Sequence, residues 1–373
     1  VASVKVNYEE ANTATDVYAM TVINHAEICQ RLEHFHNCFT NRSVIPDAPS
    51  WVPDWYSDVP GNTYIPALFA TSTSLAHYTC SYASKGRGGQ TGKTDVLRVH
   101  GVFCGEVKST TAPLQSDIGG WEALTEVRKW QPDDLDTSVY KPTGESTWKA
   151  YTITLICNIL KEREPDWILT PTDEGVKQDW DQALFGSHAD SHSSTIYPAN
   201  MRSDVSDALQ CCSSRLFFRM HERYMGLGSA NTEGGDIIAI FLGCSTPLVL
   251  RPNVRGPKHF TVVGECFVYG LDDAIALLGP LPHPWRGIAA WVDGDRRCLR
   301  FLNSHTQEVT KEDPRLGPLY DWERTDKLVD GDDPTMYDFF RHKKTGELIN
   351  YDPRLEPEFL EAKGVSLDWF SVV

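Results

Sequence analysis

The sequence lacks any apolar run approaching the length of a membrane span. Its first residues, Val1-Ala2-Ser3-Val4-Lys5, have neither the basic-then-apolar order of a secretory signal nor the arginine-rich pattern of a transit peptide. A cytoplasmic chain with no membrane partner is the expectation. Positive charge is also short, with 51 Asp and Glu against 35 Lys and Arg and a net charge of -16. Such a surface repels phosphate backbones, which excludes nucleic acid. The ten cysteines, at 29, 38, 80, 104, 157, 211, 212, 244, 266 and 298, show no framework spacing and sit mostly inside apolar patterns. They read as free, buried thiols of a reducing compartment. Without a secretion signal the Asn41-Arg42-Ser43 sequon carries no weight.

Cofactor and metal signatures are missing too. No dinucleotide fingerprint, nucleophile-elbow serine or kinase set is present. Residues 86–94, ending Gly92-Lys93-Thr94, imitate a phosphate loop, but Arg87 stands where the first glycine belongs and Val96 to Val102 continues as a strand. A hairpin loop is the expected structure. His25 and Cys29 share a helix face and His34, His36 and Cys38 follow, but a helix cannot turn His34 and His36 to one side. His188, Asp190 and His192 alternate as a strand-borne ligand set would, but serines surround them, and a solvated loop is expected. The reading is therefore no metal and no cofactor.

What is present begins with a helix expected from about Thr15 to His36, with Tyr18, Val22, Ala26, Cys29, Leu32 and Phe35 as its apolar stripe and Asp16 near its start. Residues 44–60 hold four prolines and two tryptophans, a rigid extended strap. Trp51, Asp54 and Trp55 read either as pins to the core or as a pocket wall with one carboxylate, Asp54 being the nearest acceptor for an indole N–H. Helices are expected over Trp121 to Trp130 and Thr147 to Arg163, the second with Ile153, Ile156 or Cys157, and Leu160 facing inward. The span 164–200 reads as a long excursion or lid, and Met201 to Gln210 as a helix or strap leading onward.

From Arg215 to Leu278 short apolar runs alternate with Gly, Pro and Asn. Leu216 to Phe218, Ile237 to Leu242, Pro247 to Leu250, His259 to Val263 and Phe267 to Tyr269 are the expected strands, closing as a small barrel or curled sheet. Gly226, Gly228, Gly243 and Gly264 are placed at turns or bulges needing positive φ. The fold class is α+β: a small β-barrel-like core with flanking helices and C-terminal β-hairpin repeats. The expected division is 1–200, 201–280 and 281–373.

Arg215 with Phe217-Phe218, Tyr224-Met225-Gly226-Leu227-Gly228, Gly235-Asp236, the run Ile237 to Gly243, Pro247 to Arg251 and Val263-Gly264-Glu265 to Gly270 resemble the C-terminal signature of the fungal heterokaryon incompatibility (HET) family. A second match lies at Pro49-Ser50-Trp51-Val52-Pro53-Asp54-Trp55, followed by Val96-Leu97-Arg98-Val99-His100-Gly101. The resemblance runs from about Tyr8 onward and covers only the later part of a family member; the TIR-like signalling half has no counterpart.

Arg215, Arg219, His221, Glu222, Arg223 and Tyr224 form the densest polar group in an apolar context. It reads as an ion-paired strand edge or as a polar cluster at a pocket mouth, able to donate to a ligand carbonyl or carboxylate. On the second reading Arg215, Arg219, His221 and Tyr224 are the catalytic candidates and Trp51, Asp54 and Trp55 the substrate contacts. After the core, Phe301 to Leu316 is echoed by Phe340 to Leu355, each led by a tryptophan, Trp285 or Trp322. Both units resemble degenerate WW modules, but Lys311 and Asn350 stand where a ligand-binding second Trp is needed, so they read as structural clasps rather than peptide binders.

Three functions follow. The first, implied by the resemblance, is a HET-family scaffold that binds an apolar small molecule and acts as a metal- and cofactor-independent cyclase or pericyclase of Diels-Alder type, an option opened by family genes beside biosynthetic clusters. Such a site would work by orientation and a few donors. Alternatively the chain is the non-catalytic recognition half of an incompatibility protein, or an adaptor with a protein partner.

Overall fold

The computed structural model describes residues 13–29, 31–39, 48–55, 88–90, 95–118, 120–133, 135, 138–158, 203–292, 296–325 and 339–373. In chain order these form α1 (Ala14–Cys29), a 3-10 turn (Glu33–Asn37), β1 (Gly88–Gln90), β2 (Leu97–Thr110), α2 (Gly120–Arg128), β3 (Val139–Tyr140), β4 (Glu145–Ser146), α3 (Thr147–Leu155) and α4 (Ser203–Cys212). The core strands follow: β5 (Arg215–Met220), β6 (Met225–Ser229), β7 (Ile237–Phe241), β8 (Leu248–Pro252) and β9 (His259–Val268). Next come α5 (Ile275–Leu278), β10 (Trp285–Val292), β11 (Arg296–Asn303), β12 (Val309–Thr310), β13 (Trp322–Thr325), β14 (Phe339–His342) and β15 (Leu348–Ile349). A 3-10 turn (Pro353–Leu355), α6 (Pro357–Ala362) and β16 (Asp368–Val372) end the order.

Strands β2, β5, β6, β9, β8 and β7 hydrogen-bond in that order, and β7 returns to β2, so six antiparallel strands close on themselves. Closure removes open edges. One face of each strand fills the ring: Val107, Leu216, Phe218, Ile238, Ile240, Val249, Val263 and Cys266 meet in one buried cluster. β6 contributes Gly226 and Gly228 instead. A Cβ at Gly226 would overlap the Phe218 ring and the Phe267 carbonyl, and one at Gly228 would crowd Thr232 and Phe218. The two glycines therefore lie in a strand where Phe218 needs room, not at turns as expected; Gly243, with φ 81°, is a turn glycine.

The opposite faces are buried as well, which explains why the runs are continuously apolar rather than alternating. Phe217, Leu227 and Phe267 pack under α2, α3 and α4 against Leu124, Val127, Tyr151, Leu155 and Leu209. Leu97, Val99, Ala239, Phe241, Leu250 and Val262 pack instead with Val22 of α1, Leu32, Phe35 and Trp51. β16 lies over this second core, antiparallel to β2 through 97–101 and parallel to β9 through 259–260. Thus β2, β7, β8, β9 and β16 close a second time, and Phe370 and Val372 belong to that core.

The expected strands at 259–263 and 267–269 are one strand, β9, bent where the β8 pairing shifts between Val249 and Leu250. The ring also draws on β2, upstream of the expected 201–280 core, and residue 200 lies outside the described residues. The first helix stops at Cys29 because the Leu32 N–H goes to the Gly243 carbonyl at 2.7 Å, not up the helix. Gly88–Gln90 pairs with Leu97–Val99 as the hairpin foreseen in place of a phosphate loop. Thr147–Leu155 starts on a Ser146 hydroxyl that accepts from Lys149 N, and Ile153, Ile156 and Cys157 are buried. Leu160, the 164–200 excursion with His188, Asp190 and His192, and Asn41 lie outside the described residues.

The C-terminal repeats are two three-stranded antiparallel sheets, β10-β11-β12 and β13-β14-β15, with Phe301 and Phe340 buried. In each, a buried aspartate holds the arginine two residues on: Asp313 with Arg315, Asp352 with Arg354. Each arginine then reaches backwards. Arg315 donates to the carbonyls of Asp273 and Gly279, on either side of α5, and Arg354 donates to the Gly317 carbonyl and Glu312 of the first repeat.

Candidate functional site

The structure separates the residues that sequence spacing grouped. Arg215 is buried beneath α3 and α4, its Nη2 2.5 Å from Glu265 Oε1. Burial works against its charge, but Glu265 together with Cys157 and Cys211 more than offsets this, and the Arg215 pKa is raised. Arg219, four residues along β5, is half-buried, and His221, Glu222 and Arg223 are exposed on the hairpin between β5 and β6. Glu222 accepts from the Glu106 N–H at 3.2 Å. Tyr224 is half-buried, and burial, then Cys104 and Glu222, raise its pKa. The hairpin reverses at Arg223, whose φ of 70° is left-handed.

The strap divides in the same way. Trp51 is fully buried in the second core and its indole donates to the Asp95 carbonyl at 3.5 Å, not to Asp54. Asp54 is half-buried, and Trp55 is 46% exposed with its edge on Tyr18. Trp51 and Arg215 thus belong to different layers of the fold.

An open cleft of about 490 Å³ lies elsewhere, where β2, α5 and the link from α6 to β16 meet. Val102, Leu277, Leu278 and Val365 form its apolar wall, and Arg315 and Lys363 are its charged residues. Sequence reasoning missed it because its parts lie up to two hundred and more residues apart and no single stretch carries them. The volume falls in the range of small-molecule sites, ~300–1,000 Å³. Its α5 wall is held by Arg315 at both ends and is entered through two consecutive left-handed residues, Asp273 (φ 53°) and Ala274 (φ 58°). Non-glycine residues keep such angles only where surrounding contacts impose them.

The other polar features hold structure. Asp236 fixes Arg251 by two hydrogen bonds, and Tyr140 bridges the Tyr269 carbonyl and the Met225 N–H. Cys38, Cys104, Cys157, Cys211, Cys212, Cys244 and Cys266 form no disulfide among the described residues, and burial pushes the thiols of Cys104 and Cys244 up to about 12. Thiolate chemistry is suppressed at such values. No helix among the described residues is long and apolar enough to cross a membrane, and no group of three or more His, Cys, Asp or Glu among them is placed to hold a metal ion.

The closed ring agrees with comparison to known families. Residues 124–278 match the Het-6 beta-barrel domain. The match falls on the stretch whose residues resemble the heterokaryon incompatibility family. The Het-6 match holds β5 to β9 and α5; the ring's sixth strand, β2, lies before it. No curated protein and no solved structure matches the chain.

Proposed function

We propose that the chain is a recognition region of a heterokaryon incompatibility protein, a rigid β scaffold that holds a small molecule in the cleft between ring and C-terminal repeats. The observation that carries this is the open cleft of about 490 Å³ outside the ring, whose own interior is filled by Phe218, Ile238, Ile240, Val249 and Val263, all fully buried. The cofactor-free cyclase acting on an apolar metabolite is the second reading, supported by the apolar wall of Val102, Leu277, Leu278 and Val365. It draws no support from Arg215, Arg219, His221 and Tyr224, which do not converge on that wall. Native mass spectrometry of the full chain after exposure to a metabolite extract tests the two. A compound retained unchanged, and lost when exposed Ser366 is replaced by Trp to fill the cleft, supports recognition. A new isomer accumulating with time, resolved chromatographically, would establish the cyclase instead. No retained compound would overturn both.

A further inference from the structure

The charge on the cleft wall restricts what fits it. In a chain of net charge -16, the residues lining this cleft include two cations, Arg315 and Lys363, and no carboxylate. The Arg315 guanidinium is already matched by Asp313, which is buried and bonded to it at 2.7 Å. Lys363 is different. It is exposed at the end of α6, and among the described residues no carboxylate lies within ion-pair distance of its ammonium. Asp368, the nearest acid along the chain toward β16, is 2.5 Å from Lys258 and so is matched elsewhere. One unbalanced positive charge therefore faces an apolar wall.

The strand that supplies Val102 extends the same character. His100, two residues before Val102 and on the same side of β2, stacks on Trp369 with ring centres 4.5 Å apart and planes 11° apart. Arg98 lies over the same indole, 4.9 Å from its centre. Trp369 remains 38% exposed. A cation-flanked aromatic thus stands on β16 three residues beyond Ser366 of the lining.

We propose that the cleft binds a small organic anion with a flat apolar body and one carboxylate, the body against Val102, Leu277 and Val365 and the carboxylate toward Lys363. This rests on the recognition reading and narrows its ligand class. The charge supplies selection among the compounds that enter the cleft. No bond is made or broken.

Titration of the full chain with naphthalene-2-carboxylate and with neutral naphthalene-2-methanol, followed by calorimetry and by Trp fluorescence, tests it. The expected result is saturable one-to-one binding with the carboxylate favoured. Lys363→Glu should weaken the carboxylate about fivefold to tenfold and leave the alcohol unchanged, and added salt should narrow the difference between the two probes. Ser366→Trp should abolish both, with an unchanged melting temperature showing that each variant is folded. Equal binding of both probes, insensitive to Lys363→Glu but lost in Ser366→Trp, would overturn the anion while leaving the cleft as a ligand site. Carboxylate binding untouched by both substitutions would overturn the proposal by placing the probe elsewhere, and no binding of either probe would remove the cleft reading with it.

Discussion

Arg215 and Glu265 show how a side chain that reads as reactive becomes structural. Their side chains are 2% and 3% exposed, so removing one partner leaves a charge in a dry layer beneath α3 and α4. Arg215→Ala should cost about 3–5 kcal/mol, and Arg219→Ala, at a half-exposed position, about 0.5 kcal/mol or less, measured by denaturant unfolding. His34 gives a second prediction. Burial, then His25 and His36, lower its pKa to about 3. Between the ordinary value of 6.5 and about 3, the unfolded chain holds a proton that the folded chain does not. Stability is therefore full above 6.5 and falls as pH drops through that window, by at most about 1.4 kcal/mol per pH unit. His34→Phe should remove that slope from a pH series of unfolding curves; an identical slope would show that other groups set acid sensitivity.

Among elements, β6 is the most constrained. Gly226→Ala should destabilise by about 1–3 kcal/mol through overpacking against Phe218, and Phe218→Leu should recover only part of it, because the Phe267 carbonyl remains in the way. Full recovery in the double variant would mean that the ring alone sets the limit. β6 also marks where sequence reading stopped. β5, β7 and β8 announced themselves as short apolar runs, and α2 and α3 by helical spacing. Met225-Gly226-Leu227-Gly228-Ser229 looks like a turn because its glycines answer to a neighbouring ring across the sheet, which no local pattern contains. The polar cluster failed for the same reason: Arg215 and Tyr224 are close in sequence but sit at opposite ends of a hairpin, and the partner of Arg215 arrives from fifty residues on. The cleft was invisible, since Val102, Leu277 and Lys363 meet only once the ring is closed.

At the scale of the whole molecule, the C-terminal repeats are fastened in series. Arg315 ties the first to both ends of α5, and Arg354 ties the second to the first. Arg315→Ala should raise hydrogen exchange in α5 and in both repeats, whereas Arg354→Ala should raise it in the second repeat alone; uniform protection in both variants would show that the clamps are dispensable. β16 has a further consequence. It pairs with residues 97–101 only after both repeats have been made, so a growing chain halted anywhere before Asp368 exposes that stretch of β2 to neighbouring polypeptides. Synthesis of this protein thus carries its aggregation hazard until Asp368–Val372 has been made, and a chaperone that shields strands would be needed longest at the ring segment made earliest.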